Sequence, residues 1–161
     1  MILVADCSAL VALASCNGLH LLDELFGVVI VPESVYREAV VDDKPEAQQL
    51  KDYLKDKVRK IDFGNLILLD GFSDLGETEA MILYKQHSAD RLLIDDKRGR
   101  RVAKINHIDT IGSLGVLLAA KQSHLIDRVA PYVERLAASD IYMSPDLIDT
   151  VMEIAGEKCA H

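Results

Sequence analysis

Three runs of consecutive apolar residues constrain this chain more than any other feature: ILVA at 2–5, VVIV at 28–31 and, behind Arg91, LLI at 92–94. A strand with one wet face alternates polar and apolar residues. A run that is apolar at every position must be covered on both faces. Helical segments are expected between the runs: 8–15 with Leu10 and Leu13, 19–26 after the Asn17-Gly18 break, and 33–40 opened by Pro32. Further helices are expected at 45–57 with Leu50 and Leu54 inward, 76–87, 97–105 and 112–121. The last two are 126–138, bent or restarted at Pro131, and 144–155, opened by Ser144-Pro145 and ended by Gly156. Two more strands are expected, an edge strand at 66–69 and another at 108–111. Strands alternating with helices predict a mostly parallel α/β sheet covered on both faces. The 161 residues hold no linker, low-complexity tract or repeat, so a single domain is expected over 1–161, with a helical extension at about 126–157.

Two of the runs end abruptly in carboxylates, ILVA at Asp6 and LLI at Asp95-Asp96. A buried anion is costly unless it is paired or holds a metal, and adjacent like charges add to the cost. Two other acids belong near the same sheet end. Glu38 lies one to two turns into the helix after VVIV, on or beside the face turned to the sheet. Glu77 shares a stripe with Ala80 and Tyr84, and Glu79, about 200° round the helix, is the alternative. A cluster drawn from Asp6, Glu38, Glu77, Asp95 and Asp96 suits a hard divalent cation, Mg²⁺ or Mn²⁺, which takes oxygen ligands. Each acid also has a plainer use, as a helix cap or as a complement to a helix dipole. Behind Asp96, the spacing of Lys97, Arg100, Arg101 and Lys104 puts four cations on one helix face. Such a stripe is either a solvated surface or a contact for phosphates.

The net charge of −8 is the wrong sign for a generic nucleic-acid binder, so any contact with RNA must be local. Three widely spaced cysteines with no CxxC pair point to reduced thiols and a cytoplasmic protein. The histidines lack HxxxH or HExxH spacing, which argues against zinc. No apolar run reaches the ~18 residues of a membrane span. The N-terminal MILVADCSALVALAS has no basic segment and is interrupted by Asp6, which argues against a signal peptide. A haloacid-dehalogenase-type phosphotransferase needs a second Asp two residues after the first, and position 8 is Ser.

Four pieces in order, DCSAL at 6–10, VPESVYRE at 31–38, LGETEA at 75–80 and LLIDDKRGRR at 92–101, resemble the PIN-domain family. IGSLGVLLAAK at 111–121 is similar to a bacterial and archaeal subgroup, the VapC-type toxins. The resemblance implies a three-layer α/β/α sandwich and a metal-dependent endoribonuclease with three or four acids at one end of the sheet. Position by position it assigns Asp6, Glu38, Glu77 (or Glu79) and Asp96 as catalytic acids that hold Mg²⁺ or Mn²⁺. Asp95 becomes an accessory and Ser8 a polar support beside the substrate, with Lys97, Arg100, Arg101 and Lys104 toward RNA. It further implies a homodimer and a small antitoxin partner. Three features depart from the pattern: Ile94 stands where such toxins often carry Thr or Ser, the third acid is a glutamate where they more often carry Asp, and the helix at 144–155 is additional to a minimal toxin. A catalytically silent binding or regulatory protein of the same fold is the alternative.

Overall fold

The apolar runs form the middle of a five-stranded sheet. β1 (Ile2–Ala5), β2 (Val28–Pro32) and β4 (Arg91–Leu93) are flanked by two-residue edges, β3 (Val58–Arg59) and β5 (Thr110–Ile111). The order is β3-β2-β1-β4-β5 and every pair is parallel. This computed structural model describes residues 1–41, 43–65, 69–71 and 73–157.

The period of two along a strand splits each apolar run between two cores. Leu3, Ala5, Val29, Val31 and Leu93 face one core, and Val4, Ile30, Leu92 and Ile94 face the other. The first core is covered by α1 (Cys7–Ser15), α2 (Leu19–Phe26), α3 (Glu33–Ala39), α4 (Ala47–Leu54), α7 (Ser113–Gln122), α8 (Ala130–Ala138) and α9 (Pro145–Ile154). The second is covered by α5 (Leu75–Gln86) and α6 (Lys97–Ile105). This is the expected three-layer α/β/α sandwich. Among the described residues, no single helix is long and apolar enough to cross a membrane.

Several boundaries differ from the sequence expectation. Of the edge strand expected at 66–69, residues 66–68 lie outside the described residues, and Leu69 is in no strand. The sheet edge beside β2 is β3, so the helix expected over 45–57 stops at Leu54. Val31 explains this, because its N–H donates to Lys57 O at 3.0 Å and draws the chain after α4 into the ladder. The strand expected at 108–111 is ordered as sheet only at 110–111, while Ile108 packs into the second core. The helix expected from 126 begins at Ala130, with Pro131 in its first turn, where a missing N–H does no harm.

That late start has a partner far along the chain. Glu157 accepts hydrogen bonds from the N–H groups of Val129 (2.8 Å) and Ala130 (3.1 Å), and from Lys121 Nζ (2.7 Å). Burial opposes ionisation of this carboxyl, but the Lys121 ammonium and the two amides outweigh it and hold its pKa below the usual value. The clamp ties the chain after α9 to the end of α7 and the start of α8. Val133, Leu136, Val151 and Met152 then complete the first core, so the C-terminal helices are part of the domain's packing. Glu157→Ala is expected to destabilise the protein by about 2 kcal/mol in urea denaturation, since it removes the carboxylate paired with the Lys121 ammonium and leaves two helix-start amides without their acceptor. An unchanged midpoint would show that the clamp contributes nothing.

Candidate active site

The strand order places a crevice. From β1 the chain moves outward through β2 and β3, then returns to the other side of β1 for β4 and β5. In parallel α/β sheets, the C-terminal ends of strands at such a reversal are where ligands gather. The N–H of Asp6 donates to Leu93 O at 2.9 Å, which keeps the two strand ends level. Asp6 and Asp95-Asp96 are therefore delivered side by side, and a cavity of about 640 Å³ opens above them.

All five predicted metal-site acids, Asp6, Glu38, Glu77, Asp95 and Asp96, line this cavity, together with Ser8, Lys97 and Arg100. Glu79 does not line it, and Arg101 and Lys104 are exposed on α6 without reaching it. The basic stripe is thus split, with only its first turn at the site. Asp74 joins the cluster. Its sequence signal is Asp74-Leu-Gly-Glu77, the spacing of a capping box, and Asp74 Oδ1 accepts from Glu77 N at 2.8 Å to start α5.

The acids are held in different ways. Asp95 is fully engaged: Oδ1 accepts from Ser113 N (2.7 Å) and Oδ2 from Ser113 Oγ (2.8 Å), joining the end of β4 to the start of α7. Asp96 caps α6 by accepting from Gly99 N at 2.8 Å through Oδ2, which leaves Oδ1 for the cavity. Glu77 Oε2 accepts from Ser73 Oγ at 3.0 Å. Asp6 stands at the head of α1 yet makes no side-chain cap, although it is only 5% exposed. Burial, aided by the charges of Asp74, Glu38 and Asp96, pushes its pKa up to about 7 against the pull of the Cys7 N–H. Glu77 is also raised to about 7, by burial first and then by its contact with Asp74, with the Ser73 hydrogen bond opposing. Neighbouring Cys7 is pushed up to about 12 by burial and then by Glu38, so its thiol stays protonated.

Among the described residues, none of these carboxylates is in an ion pair. No three histidine, cysteine or carboxylate side chains among them already stand close enough around one point to cage an ion. The donor set nevertheless fits a hard divalent cation. It is all oxygen, buried at its centre and left negative by the protein, and magnesium keeps several waters when it binds one or two carboxylates. Asp6, Glu38, Glu77 and Asp96 have the oxygens to hold it.

Gly99, inside the KRGRR segment, makes this arrangement possible. A Cβ there would overlap Glu77 Oε2 and lie 2.6 Å from Ile94 Cδ1. A smaller cavity of about 410 Å³ borders Asp74, Glu77 and Asp96 and carries Arg98, a cation that the helical stripe does not include.

A family model described as PIN domain matches residues 2–157. No curated protein and no solved structure matches the chain.

Asp6 and Glu77 have pKa values raised in the folded protein, so between about pH 4 and pH 7 the unfolded chain releases protons that the folded one retains. Metal-free protein should therefore lose thermal stability as pH rises through that window, and Asp6→Asn should flatten the loss. Mn²⁺ should restore stability at about pH 8 for the unaltered protein but not for Asp6→Asn. A melting temperature that climbs with pH in EDTA would contradict this. Separately, Gly99→Ala would gain roughly 1 kcal/mol of helix propensity, but the overlap with Glu77 and Ile94 outweighs it. The variant should melt lower and bind Mn²⁺ more weakly by calorimetry.

Proposed function

The chain belongs to the PIN-domain family, and on that premise we propose that it is a divalent-metal-dependent endoribonuclease. PIN domains are generally nucleases that hydrolyse phosphodiesters and typically use divalent metals. The observation that carries the reading is Asp6, a buried carboxylate at the sheet reversal with neither a cap nor an ion pair among the described residues. When bound, Mg²⁺ or Mn²⁺ supplies a more nucleophilic water and neutralises charge at the scissile phosphate.

The chain's own groups do the rest. Asp6, Glu38, Glu77 and Asp96 hold the ion, and Asp95 keeps β4 in place through Ser113. Lys97 and Arg100 sit on the same cavity wall, where they attract and orient phosphates near carboxylates that would otherwise repel them. Ser8, exposed in the first turn of α1 two residues after Asp6, lines the same cavity, where its hydroxyl would donate to the substrate backbone.

A toxin role, with a small antitoxin partner and a homodimer, extends this reading, and its support is the sequence similarity to the VapC-type subgroup. Purified protein is expected to cleave single-stranded RNA with Mn²⁺, with cleavage stopped by EDTA and reduced at least about a thousandfold by Asp6→Asn. Cleavage that survives both treatments would place the chemistry elsewhere. No cleavage, together with no Mn²⁺ heat of binding, would favour a silent binding protein of the same fold.

A further inference from the structure

Part of the wall of the large cavity comes from the C-terminal segment, through Ile141, Tyr142, Met143 and Leu147. Its inner members, Ile141 and Met143, pack against the first core, while Tyr142 is 82% exposed and Leu147 47% exposed. An aromatic ring left this open at the mouth of a cleft gains nothing from the fold. The segment that carries it is nonetheless held at both ends. Ile141 N donates to Ser139 Oγ at 3.2 Å, and Leu147 N donates to Ser144 Oγ at 3.1 Å to start α9. Lys121 Nζ donates to Ala155 O, and the Glu157 clamp secures the far end of α9.

The occupant is indicated by what shares the cavity. Lys97 and Arg100 line it as cations, and among the described residues neither is ion-paired. A ligand that puts anions on these cations and a flat apolar face on Tyr142 is a nucleotide in a single strand. Bases stack on aromatic side chains with little regard to sequence while the backbone follows the positive charge. A duplex would keep its bases stacked on one another and withhold those faces.

We propose that Tyr142, flanked by Leu147, is a nucleobase-stacking subsite that seats one unpaired base of an RNA substrate while Lys97 and Arg100 hold its phosphates. The identity of the polymer rests on the nuclease reading, whereas the subsite rests on the wall itself.

The chain contains no tryptophan, so Tyr142→Trp introduces a single indole reporter. In an Asp6→Asn background with Mg²⁺, its emission should be quenched by a short oligouridylate and not by an abasic ribose-phosphate oligomer of equal length. By anisotropy, Tyr142→Ala should weaken oligouridylate binding about tenfold and leave the abasic oligomer unchanged, and Tyr142→Phe should retain wild-type affinity. Equal effects on both oligomers would overturn the subsite. So would emission that responds only to protein concentration or to an added protein, which would make the wall a docking face. Base-dependent binding without Mn²⁺-dependent cleavage by the unaltered protein would overturn the nuclease reading and uphold the subsite. Cleavage with a KM that Tyr142→Ala does not change would do the reverse.

Discussion

The carboxylate of Asp6 is the constraint around which the rest of the structure is arranged. It is carried to the end of the central strand of a sheet covered on both faces, where water is scarce and, among the described residues, no cation pairs with it. Burial of a charge in this way is tolerated when an ion or a proton can offset it. The neighbours of Asp6 sharpen the demand, since Glu38, Asp74 and Asp96 each raise its proton affinity. Ordinary packing would have put a small apolar residue here, as it does at Ala5. The departure from that rule marks the site, because local inconsistency with folding tends to collect where function requires it.

Around this centre, each acid has a different degree of freedom. Asp95 is spent on Ser113 and serves the joint between β4 and α7. Asp96 and Asp74 divide their oxygens between helix starts and the cavity. Glu77 keeps its place because Gly99 offers no side chain against it. The same short segment, DDKRGRR, thus supplies a joint, a cap, two cavity cations and the gap that admits a glutamate from another helix. The C-terminal helices answer the acidic side with an apolar wall. Their position depends on Glu157, which closes the start of α8 from 27 and 28 residues away.

Much of the fold was legible in the primary structure. Runs such as VVIV have one physical outcome, burial on both faces, and punctuation such as Ser144-Pro145 behaved as local chemistry requires, with Ser144 capping α9. The boundaries that shifted did so through distant partners. The pull of Val31 on Lys57 shortened α4, and the Glu157 clamp belongs to the start of α8. In the candidate site, Asp6, Glu38 and the Asp95-Asp96 pair were visible because each follows an apolar strand or the helix after one. Asp74 carries a capping-box signal, which marks a helix start and by itself says nothing of a site. The wall at 141–147 had none, since its residues lie in and after a short irregular connection without periodicity.

What the sequence by itself determined is therefore the set of parts: strands too apolar to face water, helices between them, and carboxylates where strands stop. Periodicity and capping act over a few residues, so they can be read in order along the chain. Only the tertiary structure decided which parts meet. Strand order puts β4 beside β1 and not beside β3, and so brings Asp96 to Asp6. The approach of Gly99 on α6 leaves room for Glu77 from α5, and the C-terminal segment brings Tyr142 into the wall of the cavity that the acids line. These contacts join residues tens of positions apart. They depend on the simultaneous burial of two cores, which no local stretch of the chain encodes.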